Sequence, residues 1–484
     1  MVLYRKFALF MFLVSLPIIV AAQAVTYSAY DKFDFRSGEF AVAGISGGLL
    51  YNYRSTEDAY MLDAYDDSMN KVATVLLDFF PSKIYDVKFF TYPDKIIILY
   101  QALESNKVVQ YAALLDQKGR LKNKPVELGS TKTGIFGATR TYFSSAISEN
   151  KKLFFIYSAN DKNSTIEVEG KWMDENLTII KRSHANFKSD NIVEHGEVNI
   201  ANDSTVYVAA FTPEGAENYA DQYWFLKLKP CSLKFEPVEL PLENKYAAGG
   251  YMKIDNNNNR IYFGGFYSDK KNGNYNGLIF ACYDCTTSSY QSKKFIPFDA
   301  DLILAAGARR QEHSFNNYMV KQLIMKKDGG FVLVSEIQYV TSRSTYNPAI
   351  GYYSFYSPYS TSTVREYHYN DIMALSYSKD GVREWSSIIP KEQYSQEDGG
   401  MFSSYTLLNS GGTLAFLFND YNKAHSRIQL ATIYADGKTN MHSFAPEGNE
   451  YPDWLPRSGK QVGGRVLIVP CLHKRQICFA RVAF

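Results

Sequence analysis

Along most of the chain a short apolar run breaks at a turn rich in Gly, Asn and Asp, and a β-branched or aromatic run follows. The unit recurs as AVAGISGGLLYNY, VKFFTYPDKIIILY, SAISENKKLFFIY, VNIANDSTVYVAAF, MKIDNNNNRIYFGGF, LIMKKDGGFVLVSEI, TLLNSGGTLAFLF and KQVGGRVLIVP. The second runs begin near Leu49, Ile96, Leu153, Val206, Ile261, Phe331, Leu414 and Val466, at spacings of 47, 57, 53, 55, 70, 83 and 52 residues. Turns of this composition supply positive φ and local side-chain hydrogen bonds, so each unit predicts a tight hairpin. A third and a fourth run complete most units around another turn, as in YAALLDQKGRLKNKPVEL and LATIYADGKTNMHSF. Four short strands repeated in this way predict propeller blades. The expected fold is all-β: a single β-propeller of about eight four-stranded blades, or seven if one unit is an insertion. A pair of β-sandwiches is the alternative. The one stretch with helical character is Asp299 to Gln311.

The ends fit ring closure. The last unit has only three runs before Phe484, while VTYSAYDKFDF near the N-terminus offers a spare strand. Pairing the N- and C-terminal strands in one blade would remove an unpaired edge. The asparagine- and tyrosine-rich turns and Asp380-Gly381…Trp385 make the chain from about residue 26 to 484 resemble the broad superfamily of exported bacterial β-propellers. The resemblance implies a fold and specifies no activity.

Composition and charge then narrow the setting. Arg5 and Lys6 precede the apolar core FALFMFLVSLPIIV, and Ala22-Gln23-Ala24 follows. This three-part pattern predicts a secretory signal peptide over residues 1–24 and a propeller domain over 25–484. The apolar run is too short for an anchor, which needs roughly 20 residues, so the chain is expected not to span a membrane. A periplasmic or outer-membrane-associated location is expected, with secretion as the other outcome. The chain has 52 basic and 50 acidic residues, and without Arg5 and Lys6 the two counts are equal. Nucleic acid, which needs a concentrated basic surface, is excluded as a partner. Cys471 and Cys478 bracket LHKRQI between two β-like runs, and a hairpin there would place them opposite each other as a candidate disulfide. Cys282 and Cys285 form a lone C-x-x-C without a second ligand pair, and with Cys231 they read as strand-end residues or one more staple.

Motifs for chemistry are sparse. Gly44-Ile45-Ser46-Gly47-Gly48 matches G-x-S-x-G but occupies a hairpin turn with no helix to follow. Asp380-Gly381…Trp385 departs from an Asp-box and reads as a turn with an aromatic lock. The inner strands are mostly apolar or hydroxylic, with Glu197 a lone acidic candidate where a glycosidase needs two or three converging carboxylates. No H-x-x-x-H or H-x-H pair occurs among the seven histidines, so no metal site is expected, and no cofactor is implied.

Binding residues concentrate in loops on rigid scaffolds. The longer second-to-third-strand connections carry Tyr219, Tyr275 and Tyr421. The sixth unit carries an aromatic-rich insertion at about 341–369, with Tyr346, Tyr352, Tyr353, Tyr356 and Tyr359. Tyrosine gives a large amphipathic contact area at low entropic cost. These eight tyrosines are the candidate binding residues, on one face of blades four to seven. The expected function is a non-catalytic module that binds an envelope protein or glycan or acts as a scaffold. A carbohydrate-active hydrolase or lyase, with acids at the propeller axis, is the alternative.

Overall fold

The computed structural model describes residues 24–132, 142–214, 219–230, 232–307, 315, 317–346, 361–422, 425–444 and 452–484. The expected leader lies outside them except for Ala24. Seven blades occupy residues 40–76, 84–132, 144–188, 194–239, 246–297, 318–396 and 405–443, each of four antiparallel strands in chain order. The eighth takes Lys460–Gly463, Val466–His473 and Gln476–Ala483 from the C-terminus, and Ala24–Tyr27 pairs as its outer strand, from Ala24↔Ala483 to Tyr27↔Ala480. Blades four and five are also joined by a two-residue pairing, Tyr219↔Ala248 and Ala220↔Ala247.

Strand composition follows position in the blade. The second strand of blade two, Lys95–Glu104, is buried through Ala102 because neighbouring blades cover both its faces. Such a strand reads as a continuous apolar run, as strands covered on both faces do. The outer strand Lys71–Leu76 of blade one is mostly exposed and mixes lysine, threonine and small apolar residues.

Among the described residues eight apolar cores, one between each pair of consecutive blades, close the ring. In the closing core, Phe33, Val42, Leu50 and Tyr65 pack on Ile468, Leu472, Ile477 and Phe479. Polar contacts reinforce that seam. Asp63 is fully buried beneath Arg54 (2.5 Å), and Asp31, from the N-terminal segment, pairs with Arg54 (3.4 Å) and Lys71.

The short turns act between blades as well as within them. Asp66, Asp116 and Asp174 end the third strands of blades one to three, and each accepts two backbone N–H groups of the turn that follows. At the first turns of blades three to five, the Asn150 N–H donates to Asn202 Oδ1 (3.1 Å) and the Asn202 N–H donates to Asn256 Oδ1 (2.7 Å). The oxygen-rich Asp255–Asn259 turn is thus part of an interblade staple. Trp385 is an aromatic lock, but on the next blade's turn: its Nε1–H donates to the Ala435 carbonyl at 3.0 Å. Gly437 there has φ +81° and no room for a Cβ, which would lie 2.6 Å from the indole.

The helical stretch forms a helix over Ala300–Gly307. Asp299 caps it by accepting the Leu302 N–H at 2.9 Å and also pairs with Arg383. Among the described residues no helix is long and apolar enough to cross a membrane.

The insertion of blade six is built differently from a loop. Its second and third strands, Phe331–Tyr346 and Thr361–Tyr377, stay paired from Phe331↔Tyr377 to Tyr346↔Thr361. A bulge at Ile337 marks where the blade ends and an arm begins. The first strand accompanies the arm only to Ile337, and the fourth, Arg383–Gln396, to Glu366. At the usual rise per residue the arm reaches roughly 30 Å beyond the bulge.

Candidate functional site

Two of the tyrosines expected on a contact face lie in the core. Tyr219 and Tyr275 are 2% and 6% exposed and belong to the core between blades five and six. Tyr275 stacks on Phe266 (4.6 Å, 3°), and its hydroxyl donates to the Tyr318 carbonyl at 3.2 Å. The Tyr219 hydroxyl donates to the Gly273 carbonyl. Tyr219 opens the third strand of blade four, Tyr219–Leu228, and Tyr275 is tied to the first strand of blade six, so both serve the interblade core rather than a contact face. Tyr346 lies in the arm's strand Phe331–Tyr346. Tyr421 lies in the strand Thr413–Asn422, and the side chains of both fall outside the described ones. Tyr352, Tyr353, Tyr356 and Tyr359 lie outside the described residues.

At the base of the arm a different aromatic set forms. Tyr339 stacks on His368 (ring centroids 4.5 Å apart, 11° between planes), and His368 contacts Tyr394 at 5.2 Å. These residues are cross-strand neighbours, so strand register alone brings the rings together. Tyr394 is 46% exposed, and its hydroxyl donates to Glu366 at 2.8 Å. Thr341 and Gln396 also contact Glu366, at 3.2 and 3.3 Å. The result is an aromatic ladder with a polar border on an element that stands out from the disc.

The opposite side of the arm's base roots it in the ring. Tyr369 receives a hydrogen bond on its hydroxyl from Arg457 (3.0 Å), which lies between blades seven and eight. Beneath it, Lys391 and Glu336 form an ion pair at 2.8 Å with side chains 1% and 0% exposed. Lys391 also donates to the Tyr369 carbonyl (3.0 Å) and to Gln393 Oε1 (2.8 Å). Glu336 accepts from the Ser404 hydroxyl at 2.7 Å, and Gln393 donates to the Asn419 carbonyl at 2.8 Å, tying blade six to blade seven. A signal for this network was present in the sequence: Glu336 is the only charge in FVLVSEIQYV.

The axial strands hold more charge than their sequences promised. The first strand of blade two begins at Ile84, so Asp86 and Lys88 belong to it. Burial raises the pKa of Glu39, and Asp86 raises it further. Burial also raises that of Asp86, against the pull of Lys88. Glu197, in the bulged first strand of blade four, accepts the Met252 N–H at 3.2 Å. Burial raises its pKa too, and burial, with the Glu197 charge as a smaller cause, raises those of Tyr157, Tyr223 and Tyr251. The axis therefore combines carboxylates with hydroxyl and apolar groups. Among the described residues no group of three or more His, Cys, Asp or Glu is placed to hold a metal ion.

Cys471 and Cys478 are direct cross-strand partners, in the register the hairpin predicts. Both are buried free thiols in the core between blades seven and eight. Cys282 and Cys285 are also free, and the Tyr207 hydroxyl lies 3.4 Å from the Cys285 sulfur. Cys231 lies outside the described residues.

Fold and site together define a ring of eight blades with a β-arm on the sixth. No family model matches the chain, and no curated protein matches it. Among solved structures it is similar to prolyl oligopeptidase B from Galerina marginata, at 10% identity and TM-score 0.42, covering 90% of this chain and 55% of that one. It is also similar to the polysaccharide lyase Uly1, at 11% identity and TM-score 0.39, covering 96% and 90%. A third similarity is to dihydro-heme d1 dehydrogenase NirN, at 11% identity and TM-score 0.38, covering 94% and 74%. The chain thus spans about half the length of the prolyl oligopeptidase. Likeness at this level carries no argument about activity, and the blade assignment rests on the chain's own sheets.

Proposed function

We propose that this is an exported, non-catalytic propeller that holds a protein or glycan of the cell envelope on its loop-rich face, with the blade-six arm as the main contact. The observation that carries this reading is the paired arm with the Tyr339–His368–Tyr394 ladder at its base. A rigid arm presents aromatic surface at little ordering cost when a partner binds. The eight interblade cores beneath it provide a fixed platform.

The outer arm can be removed without disturbing the blade, because Thr341 and Glu366 are register partners whose backbone groups face each other, as a two-residue turn requires. Replacing residues 342–365 by Asn-Gly should leave the unfolding free energy within about 0.5 kcal/mol of the parent, as for other surface changes. Retention of the protein on envelope fractions and immobilised envelope glycans should fall tenfold or more. Unchanged retention both in this variant and in Tyr339→Ala with Tyr394→Ala, which removes the ladder that the deletion leaves in place, would remove the arm from the proposal.

A second reading, a carbohydrate-active enzyme, is favoured by the neighbouring carboxylates Glu39 and Asp86. If it holds, the parent protein releases reducing ends or unsaturated uronates from a polysaccharide panel, and Asp86→Asn loses that activity. Absence of products from the folded parent protein across the panel counts against it.

A further inference from the structure

On the face opposite the arm, the ring opens into a funnel between blades eight, one, two and three. Its cavity is about 520 Å³, within the range of small-molecule sites. Phe90, Tyr92, Ile147 and Val462 supply an apolar wall. The charged side chains lining it are Lys151 and Lys460.

Each lysine is held by backbone geometry. Lys151 occupies a first turn with φ +58°, and its carbonyl accepts the Tyr92 hydroxyl. Lys460 lies in the short first strand of blade eight, and its ammonium donates to the carbonyls of Ala43 (2.9 Å) and Val42 (3.4 Å). Those carbonyls are turned toward it by the bulge in the first strand of blade one. An ammonium has three donors, so one remains for the cavity. Among the described residues neither lysine has a carboxylate within ion-pair distance. Glu149 lines an adjoining cavity of about 550 Å³, but its carboxylate accepts the Asn256 side-chain amide at 2.7 Å. Lys460 is solvent-accessible at the cavity, and partial desolvation by the surrounding walls, then the nearby Lys151 charge, lower its pKa. Two cations facing one partly apolar cavity repel each other, and an anion between them turns that repulsion into two attractive contacts.

We propose that this funnel binds a small organic anion, with its carboxylate, sulfate or phosphate group between Lys151 and Lys460 and its apolar body against Phe90, Tyr92 and Val462. The site is on the face away from the arm and stands independently of what the arm holds. The probe is 8-anilinonaphthalene-1-sulfonate, followed by fluorescence on the folded full chain at low ionic strength. Saturable one-to-one binding is expected, with competition by inorganic sulfate. Lys151→Asn, which tolerates the left-handed turn, and Lys460→Gln, which keeps a donor for the two carbonyls, should each weaken binding tenfold or more. The uncharged analogue N-phenyl-1-naphthylamine should bind at least tenfold more weakly than the sulfonate. Equal affinity for the uncharged analogue, or unaltered affinity in Lys151→Asn, overturns the proposal. Because Lys151 lies on an exposed turn, that second outcome decides the matter even if the Lys460 variant folds poorly.

Discussion

Glu336→Gln is expected to lower the unfolding free energy by about 3–5 kcal/mol, the usual cost of removing one partner from a buried ion pair. Lys391 is buried to 1% and would keep its charge beneath the arm, opposite a neutral amide. The Tyr369 carbonyl and Gln393 would still accept from it, but neither carries a charge. Blades six and seven would separate more easily, since the Ser404 hydroxyl donates to the same carboxylate. Denaturant titration measures the loss. Replacing both partners by apolar residues, as in Glu336→Leu with Lys391→Met, should recover part of it, because the buried ammonium is gone while Lys321, 30% exposed, and Asp371 each lose a partner.

The pH dependence gives an independent check with a definite sign. Burial lowers the pKa of Lys391 in the folded protein. Between that lowered value and the ordinary lysine value of about 10.4, the unfolded chain binds more protons than the folded one. Stability contributed by this group therefore rises with pH across that window. Losing Glu336 pushes the lysine lower still and widens the window. The deficit of Glu336→Gln should shrink as pH is raised from about 7 to about 10, the upper limit being set by the ordinary lysine value. A deficit equal at both ends would mean that the stranded ammonium is not its cause.

Removing residues 24–35 should have the second large effect, opening the ring. Four kinds of contact would go at once. Ala24–Tyr27 would no longer cover the edge of Gln476–Ala483. The exchange between Ser28 and Phe479, at 2.9 and 3.0 Å, would be lost. Phe33, 1% exposed in the closing core, would leave a hole, which alone costs about 3–5 kcal/mol. Arg54 and Lys71 would also lose Asp31. A bare edge strand pairs with other chains. The truncated chain should therefore unfold at much lower denaturant and self-associate on size-exclusion chromatography. Phe33→Ala should be destabilised while remaining monomeric, which separates the hole from the edge. A monomeric truncation with an unchanged midpoint would show that closure does not depend on this segment.

The hairpin units were legible because each carries its own local cause. Alternating runs and turn residues at Gly47-Gly48, Asp116 or Asp436-Gly437 act within about ten residues, and strand pairing needs little more. The missing fourth strand of blade eight was readable for the same reason: three runs before Phe484 and one spare near Ala24. The insertion in blade six was visible as a length and a composition, though not as a paired arm.

The site depended on distances that local pattern does not encode. Tyr219 and Tyr275 have the composition of contact residues, and only interblade packing shows that they are core. Asp86 was missed because the strand begins three residues earlier than its apolar run suggests, at Ile84. Trp385 locks a turn in the following blade. Lys151 and Lys460 share one cavity because closure sets blade eight beside blade one. The sequence alone determined the blade, its short strands and their turns, and left the count at seven or eight. Only the tertiary structure decided what meets across the ring, since contacts between blades follow from closure and packing rather than from any local preference.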